Sequence, residues 1–138
     1  MGVAKYERKQ SKMEFISVAK ELIMCTKGYG EKIGKRHKWL GVQQVFDYAM
    51  QVHHNIIMAN SFNPKTDYEE RTHYFKTALR YLNCISSGIS ILKEFTKKDK
   101  HILEQSQWEH WGILVATERK LIHGIMDYDK KSIKNIGE

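Results

Sequence analysis

A single proline, Pro64, interrupts 138 residues. Proline lacks a backbone donor and its ring clashes with the preceding turn, so helix interiors tolerate it poorly. A chain almost free of it can be helical nearly throughout. Pro64 lies in Asn60-Ser61-Phe62-Asn63-Pro64-Lys65-Thr66-Asp67, the most turn-like stretch present, and separates two helical halves.

Four amphipathic segments with a period near 3.6 follow from the apolar spacing. The first runs from about Ser11 to Lys27 on a stripe of Phe15, Ala19, Leu22, Ile23 and Thr26. Tyr29 and Ile33 extend that stripe, but Gly28, Gly30 and Gly34 are expected to break the helix. The second runs from about Leu40 to Ser61 on Val42, Val45, Phe46, Ala49, Val52, Ile56 and Ile57. The third takes Thr66 or Asp67 as N-cap, has Glu69 and Glu70 in its first turn, and ends near Thr96. Its stripe is Tyr68, Phe75, Ala78, Leu82, Ile85, Ile89 and Leu92. The fourth starts near Asp99, carries Ile102, Leu103, Trp111, Ile113, Leu114, Leu121, Ile122 and Ile125, and fades by Tyr128.

Mostly short connections and the absence of sustained strand alternation specify an all-α, up-down-up-down four-helix bundle. It is one domain over 1–138, with its core in about 11–128 and a frayed tail over 129–138. The expected core is Phe15, Leu22, Val45, Phe46, Ala49, Val52, Ile56, Phe75, Ala78, Leu82, Ile85, Ile89, Ile113, Leu114 and Leu121.

Charge is distributed unevenly. Residues 1–38 carry ten Lys/Arg against four acids, and residues 39–138 carry thirteen against twelve. A cationic end attracts polyanions by releasing their counterions. Lys35-Arg36-His37-Lys38 is its densest part; Lys35, Arg36 and Lys38 are taken together with Lys32. They are candidate nucleic-acid contacts, although a charge run also reads as a solvated helix face. Lys76 and Arg80, four apart and outside the third stripe, either extend that basic surface or stand as two solvated charges.

No catalytic centre or cofactor site is signalled. Di-metal carboxylate bundles need two Glu-x-x-His motifs, and only Glu70-Arg71-Thr72-His73 occurs. His53 and His54 point about 100° apart on a helix and cannot chelate one ion together. Gly28-x-Gly30-x-x-x-Gly34 misses the dinucleotide spacing and follows no strand. Cys25 and Cys84 lack zinc-site spacing and read as free thiols of a reducing, cytoplasmic compartment, with Cys84 the more exposed. No apolar run suits a transmembrane helix, and the first residues lack the apolar stretch of a signal peptide. The expectation is a protein that is not an enzyme, needs no metal and makes no membrane contact.

Trp108 and Trp111 share one side of the fourth segment. Trp111 flanks the stripe and Trp108 lies one step further out. Trp39, Tyr74, Tyr81 and Trp108 remain after core assignment and are candidates for a subunit or partner contact, because aromatics are enriched at interfaces. For Trp108 partial packing against the core is the competing reading.

Lys35-Arg36-His37-Lys38-Trp39-Leu40-Gly41 leads into Gln44-Val45 and then Ile56-x-x-Ala59-Asn60. The third segment reads Ala78-Leu79-Arg80-Tyr81-Leu82-Asn83, with Ile89-x-x-Leu92 further on. Over roughly residues 12–127 this resembles the accessory variability determinant proteins of diversity-generating retroelements. More widely, it is similar to the four-helix-bundle proteins encoded in 23S rRNA intervening sequences. The resemblance implies a basic accessory protein that assembles as a cyclic homopentamer. It implies binding to a reverse transcriptase and to RNA or DNA, in support of error-prone cDNA synthesis. The alternative from another class is a self-assembling protein-interaction module whose basic end serves solubility.

Overall fold

The computed structural model describes the backbone of residues 2–37, 41–99 and 101–137, and the side chains of residues 14–37, 41–99 and 101–134. Its helices are α1 (Gly2–His37), α2 (Val42–Asn60), α3 (Tyr68–Phe95) and α4 (Gln105–Gly137). No strand occurs among the described residues. α1 packs on α2, α2 on α3, α3 on α4, and α4 returns to α1. Among the described residues the diagonal helices make no close backbone approach. They meet across the core through side chains such as Phe15 and Phe75, whose ring centroids are 6.1 Å apart. Neighbours run antiparallel. Arg71 in the first turn of α3 reaches Asp129 late in α4, while Asn83 and Ser86 meet Arg119 further along.

The apolar stripes form one core that includes Phe15, Leu22, Val45, Ile56, Phe75, Leu82, Ile85 and Trp111. Ala19, Ala49, Ala59 and Ala78 are fully buried, so small side chains let the helices close in. Phe46, Ile89 and Leu121, expected inside, are half-buried. Ile113 is a correction: it stands 62% exposed, because it points away from the side of α4 set by Trp111, Leu114, Val115 and Ile122. Ile57, on the expected stripe of α2, is also exposed.

The glycines do not break the first helix. α1 runs without interruption to His37. Gly30 is buried, and a Cβ there would lie 2.6 Å from Val42 Cγ1 on α2. The same holds for Gly88 of α3, where a Cβ would lie 2.6 Å from Val45 Cγ2. Two glycines on opposite neighbours therefore admit the first turn of α2. Packing outweighs a propensity cost of about 1 kcal/mol per glycine. The chain turns into α2 at Gly41, whose φ of 73° is left-handed.

Other boundaries differ from expectation for local reasons. Asp67 does precede α3, yet its carboxylate makes no cap hydrogen bond to that helix. It instead accepts from the Asn63 backbone N–H and the Thr66 hydroxyl, bracing the Pro64 loop. α4 starts at Gln105, not near Asp99. Gln107 accepts the Glu104 backbone N–H at 2.8 Å, half of a capping box with an unusual first residue. Ile102 and Leu103 are buried in the connection before it. α4 also continues to Gly137 instead of fading by Tyr128.

Its far end is held by a buried ion pair. Arg71 Nε donates to Asp129 Oδ2 at 2.6 Å, with the two side chains 3% and 2% exposed. Arg71 Nη1 also donates to the carbonyls of Ala59 at 3.2 Å and Phe62 at 3.3 Å. Those oxygens belong to the end of α2, where Ala59 also accepts the Phe62 N–H, and to the loop after it. The guanidinium also stands 5.0 Å from the Phe75 ring centroid.

No helix among the described residues is long and apolar enough to cross a membrane.

Two stability measurements follow. Leu82→Ala empties a fully buried site and should cost about 2–5 kcal/mol in chemical denaturation. Arg71→Met strands the buried Asp129 carboxylate and should cost about 3–5 kcal/mol. Adding Asp129→Leu should recover part of that cost. A double variant no more stable than Arg71→Met would show that the charge pairing is not the interaction at stake.

Candidate nucleic-acid interface

The uninterrupted course of α1 decides how its charges are displayed. Lys20, Lys27, Lys32, Lys35 and Arg36 are all exposed on it. At 1.5 Å per residue, Lys20 to Lys35 spans about 22 Å of helix. Glu21 and Glu31 are exposed among them, as is Met24 at 63%. Lys35, Arg36 and His37 occupy the last turn, where cations oppose the negative end of the helix dipole. Part of the basic cluster therefore serves the helix that carries it.

Part also ties the loop before α4. Arg36 Nη1 lies 3.3 Å from Asp99 Oδ1, and His37 Nε2 lies 3.4 Å from Asp99 Oδ2. The Arg36 side chain stays 61% exposed, so this pair is worth well under a salt bridge in the interior. Lys32 and Lys35 have no acidic partner among the described residues and are the open cations of this end. Lys38 and Trp39 lie outside the described residues.

Lys76 and Arg80 are exposed on α3, the helix diagonal to α1. They sit in the lower half of α3, away from the end where α1 passes into α2. The structure does not join them to Lys32, Lys35 and Arg36 in one surface.

The candidate interface aromatics are partly spent within the protomer. Trp108 is only 8% exposed and stacks on Trp111, with ring centroids 6.0 Å apart and planes 21° from parallel. It is a core residue, which corrects the expectation that it was left over for a partner. Trp111 in turn donates its indole N–H to Thr26 Oγ1 at 3.0 Å, joining α4 to α1. Tyr74 is half-buried and stacks on Phe62 at 5.7 Å. Tyr81 is half-buried and leans on Tyr48 at 5.9 Å.

A different feature offers a docking surface. Between α2 and α3 lies a groove of about 380 Å³, lined by Gln44, Tyr48, Cys84, Ser87, Gly88 and Ile91 among others, with no charged side chain in its wall. Ile91 and Phe95, one turn apart on α3, are 51% and 62% exposed. The third stripe was legible in the sequence, but Ile91 and Phe95 fall outside it, and no spacing rule singles them out. Cys84 is half-buried there, and Cys25 is half-buried on α1. Both thiols are free. Burial pushes the Cys25 thiol up to about 11, so it is not a nucleophile at neutral pH.

The histidines and acids do not gather. No group of three His, Cys, Asp or Glu that could hold a metal occurs among the described residues. Glu70 and His73 are exposed at the start of α3. His53 and His54 stand with ring centroids 6.0 Å apart. Burial first, then the charges of His54 and Lys20, lowers the His53 pKa and favours its neutral form.

Compared with known proteins, the chain matches no family model, no curated protein and no solved structure.

Proposed function

We propose that this chain is a non-enzymatic accessory protein that binds nucleic acid through the C-terminal half of α1. Its partner is a reverse transcriptase, and the complex supports mutagenic cDNA synthesis in a diversity-generating retroelement. The observation that carries nucleic-acid binding is that Lys20, Lys27, Lys32, Lys35 and Arg36 all stand exposed along one uninterrupted helix. The reverse-transcriptase partner rests on the sequence resemblance alone. Phosphate contacts of this kind position a ligand without reading its bases, so binding tolerates sequence and weakens steeply with salt.

The protein acts as a cyclic homo-oligomer, five subunits being what the resemblance implies. The uncharged groove between α2 and α3, with exposed Ile91 and Phe95 beside it, supports self-association. That same surface favours the second reading, a self-assembling protein-interaction module with no nucleic-acid role.

Filter binding to single-stranded RNA across a salt series tests the choice. Lys27→Glu, Lys32→Glu and Lys35→Glu combined should lower affinity and flatten the log-affinity against log-salt slope by about 2, at roughly 0.7 for each phosphate no longer neutralised. Helicity and mass should not change. Lys76→Glu with Arg80→Glu should have a smaller effect, since α3 lies diagonal to α1. Equal affinity and slope in the triple variant would favour the interaction module.

Self-association has its own measurement. Light scattering should return a multiple of the 16.3 kDa chain mass over a roughly hundredfold dilution. Phe95→Lys with Ile91→Lys should reduce that mass. A wild-type mass near 16.3 kDa throughout would refute the oligomer.

A further inference from the structure

Glu118 sits in the middle of α4 with a relative exposure of 0%. Neither of its carboxylate oxygens has a hydrogen-bond partner among the described residues. Its neighbours along the same side of α4, Leu114, Val115 and Ile122, are buried and apolar. α4 is fastened at positions on either side of it. Seven residues before, Trp111 donates to Thr26 of α1. Eleven residues after, Asp129 holds Arg71 of α3. Between these two fastenings the helix presents a carboxyl group to a core that offers it nothing.

A buried carboxylate without a partner costs several kcal/mol, and such a group escapes the cost by taking a proton. The surrounding elements reinforce this. Glu14 on α1 is the one charged group among the described residues that acts on it, and its sign is the same. On α4 itself, the adjacent Arg119 turns to α3, where it donates to Asn83 Oδ1 at 2.9 Å and Ser86 Oγ at 3.5 Å. On α3, Arg71 is taken by Asp129. On α2, His53 answers to its own burial, His54 and Lys20.

We propose that Glu118 is a proton-controlled fastening of α4 against α1. Uncharged, it lets the middle of α4 lie in the core. Ionised, it draws that part of α4 outward until the carboxylate reaches water, and the seam between α1 and α4 opens. This goes beyond the nucleic-acid reading and does not depend on it.

The sign follows from where the proton is held. Burial foremost, and Glu14 second, raise the Glu118 pKa from 4.5 to about 8 in the closed bundle. In the open form the hydrated carboxyl releases its proton near the ordinary value of 4.5. Below that value both forms are protonated and the opening equilibrium does not depend on pH. Between the two values only the closed form keeps its proton, so opening rises about tenfold per pH unit. Above both values the equilibrium is level again.

The seam carries its own reporters, because Trp108 and Trp111 are both on α4 and Trp111 bonds across to Thr26. In this chain with Trp39→Phe, acrylamide quenching of tryptophan should rise between about pH 6 and 8.5. Glu118→Gln and Glu118→Met in the same background should hold the low-pH value throughout. Carbon NMR of the wild-type glutamate carboxyls, with Glu118 found by its absence in either variant, should show one group titrating well above the rest. The Met variant fills the site with apolar volume, so it carries the comparison if the Gln variant folds poorly. A Glu118 carboxyl that titrates below about pH 6 overturns the proposal. So does a quenching profile that both variants share with the wild type.

Discussion

The bundle closes on the guanidinium of Arg71. It reaches out of the first turn of α3 and meets three structures at once: the Ala59 carbonyl at the end of α2, the loop that follows, and the Asp129 carboxylate near the end of α4. Each of these groups is buried or half-buried and would be costly if left alone. One side chain satisfies all of them, and its planar fork has enough donors to do so. This explains why the α2–α3 connection and the far end of α4 hold a fixed relation. An apolar residue at position 71 would pack against Phe75 but would leave the Asp129 charge without its partner and the Ala59 and Phe62 carbonyls without the guanidinium. Such a pair is weak evidence for net stability, yet it specifies which helix ends meet.

The lysines of α1 and the uncharged groove lie on different sides of this frame. α1 exposes lysines from Lys20 to Lys35, while α2, over Val42–Asn60, contains no lysine or arginine at all. The uncharged groove lies on the α2–α3 side, away from α1. A protein with net charge +7 repels its own copies least along such a face. A basic surface and a neutral surface thus coexist on one small bundle.

Helix number and most of the core were legible in the sequence, because the 3.6-residue spacing of residues such as Phe75, Ala78, Leu82 and Ile85 is produced by burial itself. The errors have a common cause. Gly30 and Gly34 read as breakers when judged by local preference, but Gly30 is set by the approach of Val42, an interaction with no local trace. Asp129 read as the start of a polar tail, since a charge looks solvated until its partner 58 residues away is known. Glu118 is hidden because a carboxylate inside an apolar stripe reads as a break in the stripe and not as a buried group, and Trp108 was placed outside by helical angle although a neighbouring ring covers it. The basic end was legible as composition. Its use in part to hold Asp99 was not, because that pairing is a matter of where the loop returns.

The two valine–glycine approaches at the head of α2 also constrain how this sequence can change over evolutionary time. Val42 against Gly30, and Val45 against Gly88, each behave as a fixed total volume shared between two positions. Neither glycine can gain a side chain while its valine keeps both methyl groups in place. Exchange remains open if the partner shrinks in step, so that alanine at 88 would accompany alanine or glycine at 45. Among descendants of this chain, positions 30 and 42, and positions 45 and 88, should therefore drift as correlated pairs even where the surrounding surface has diverged freely.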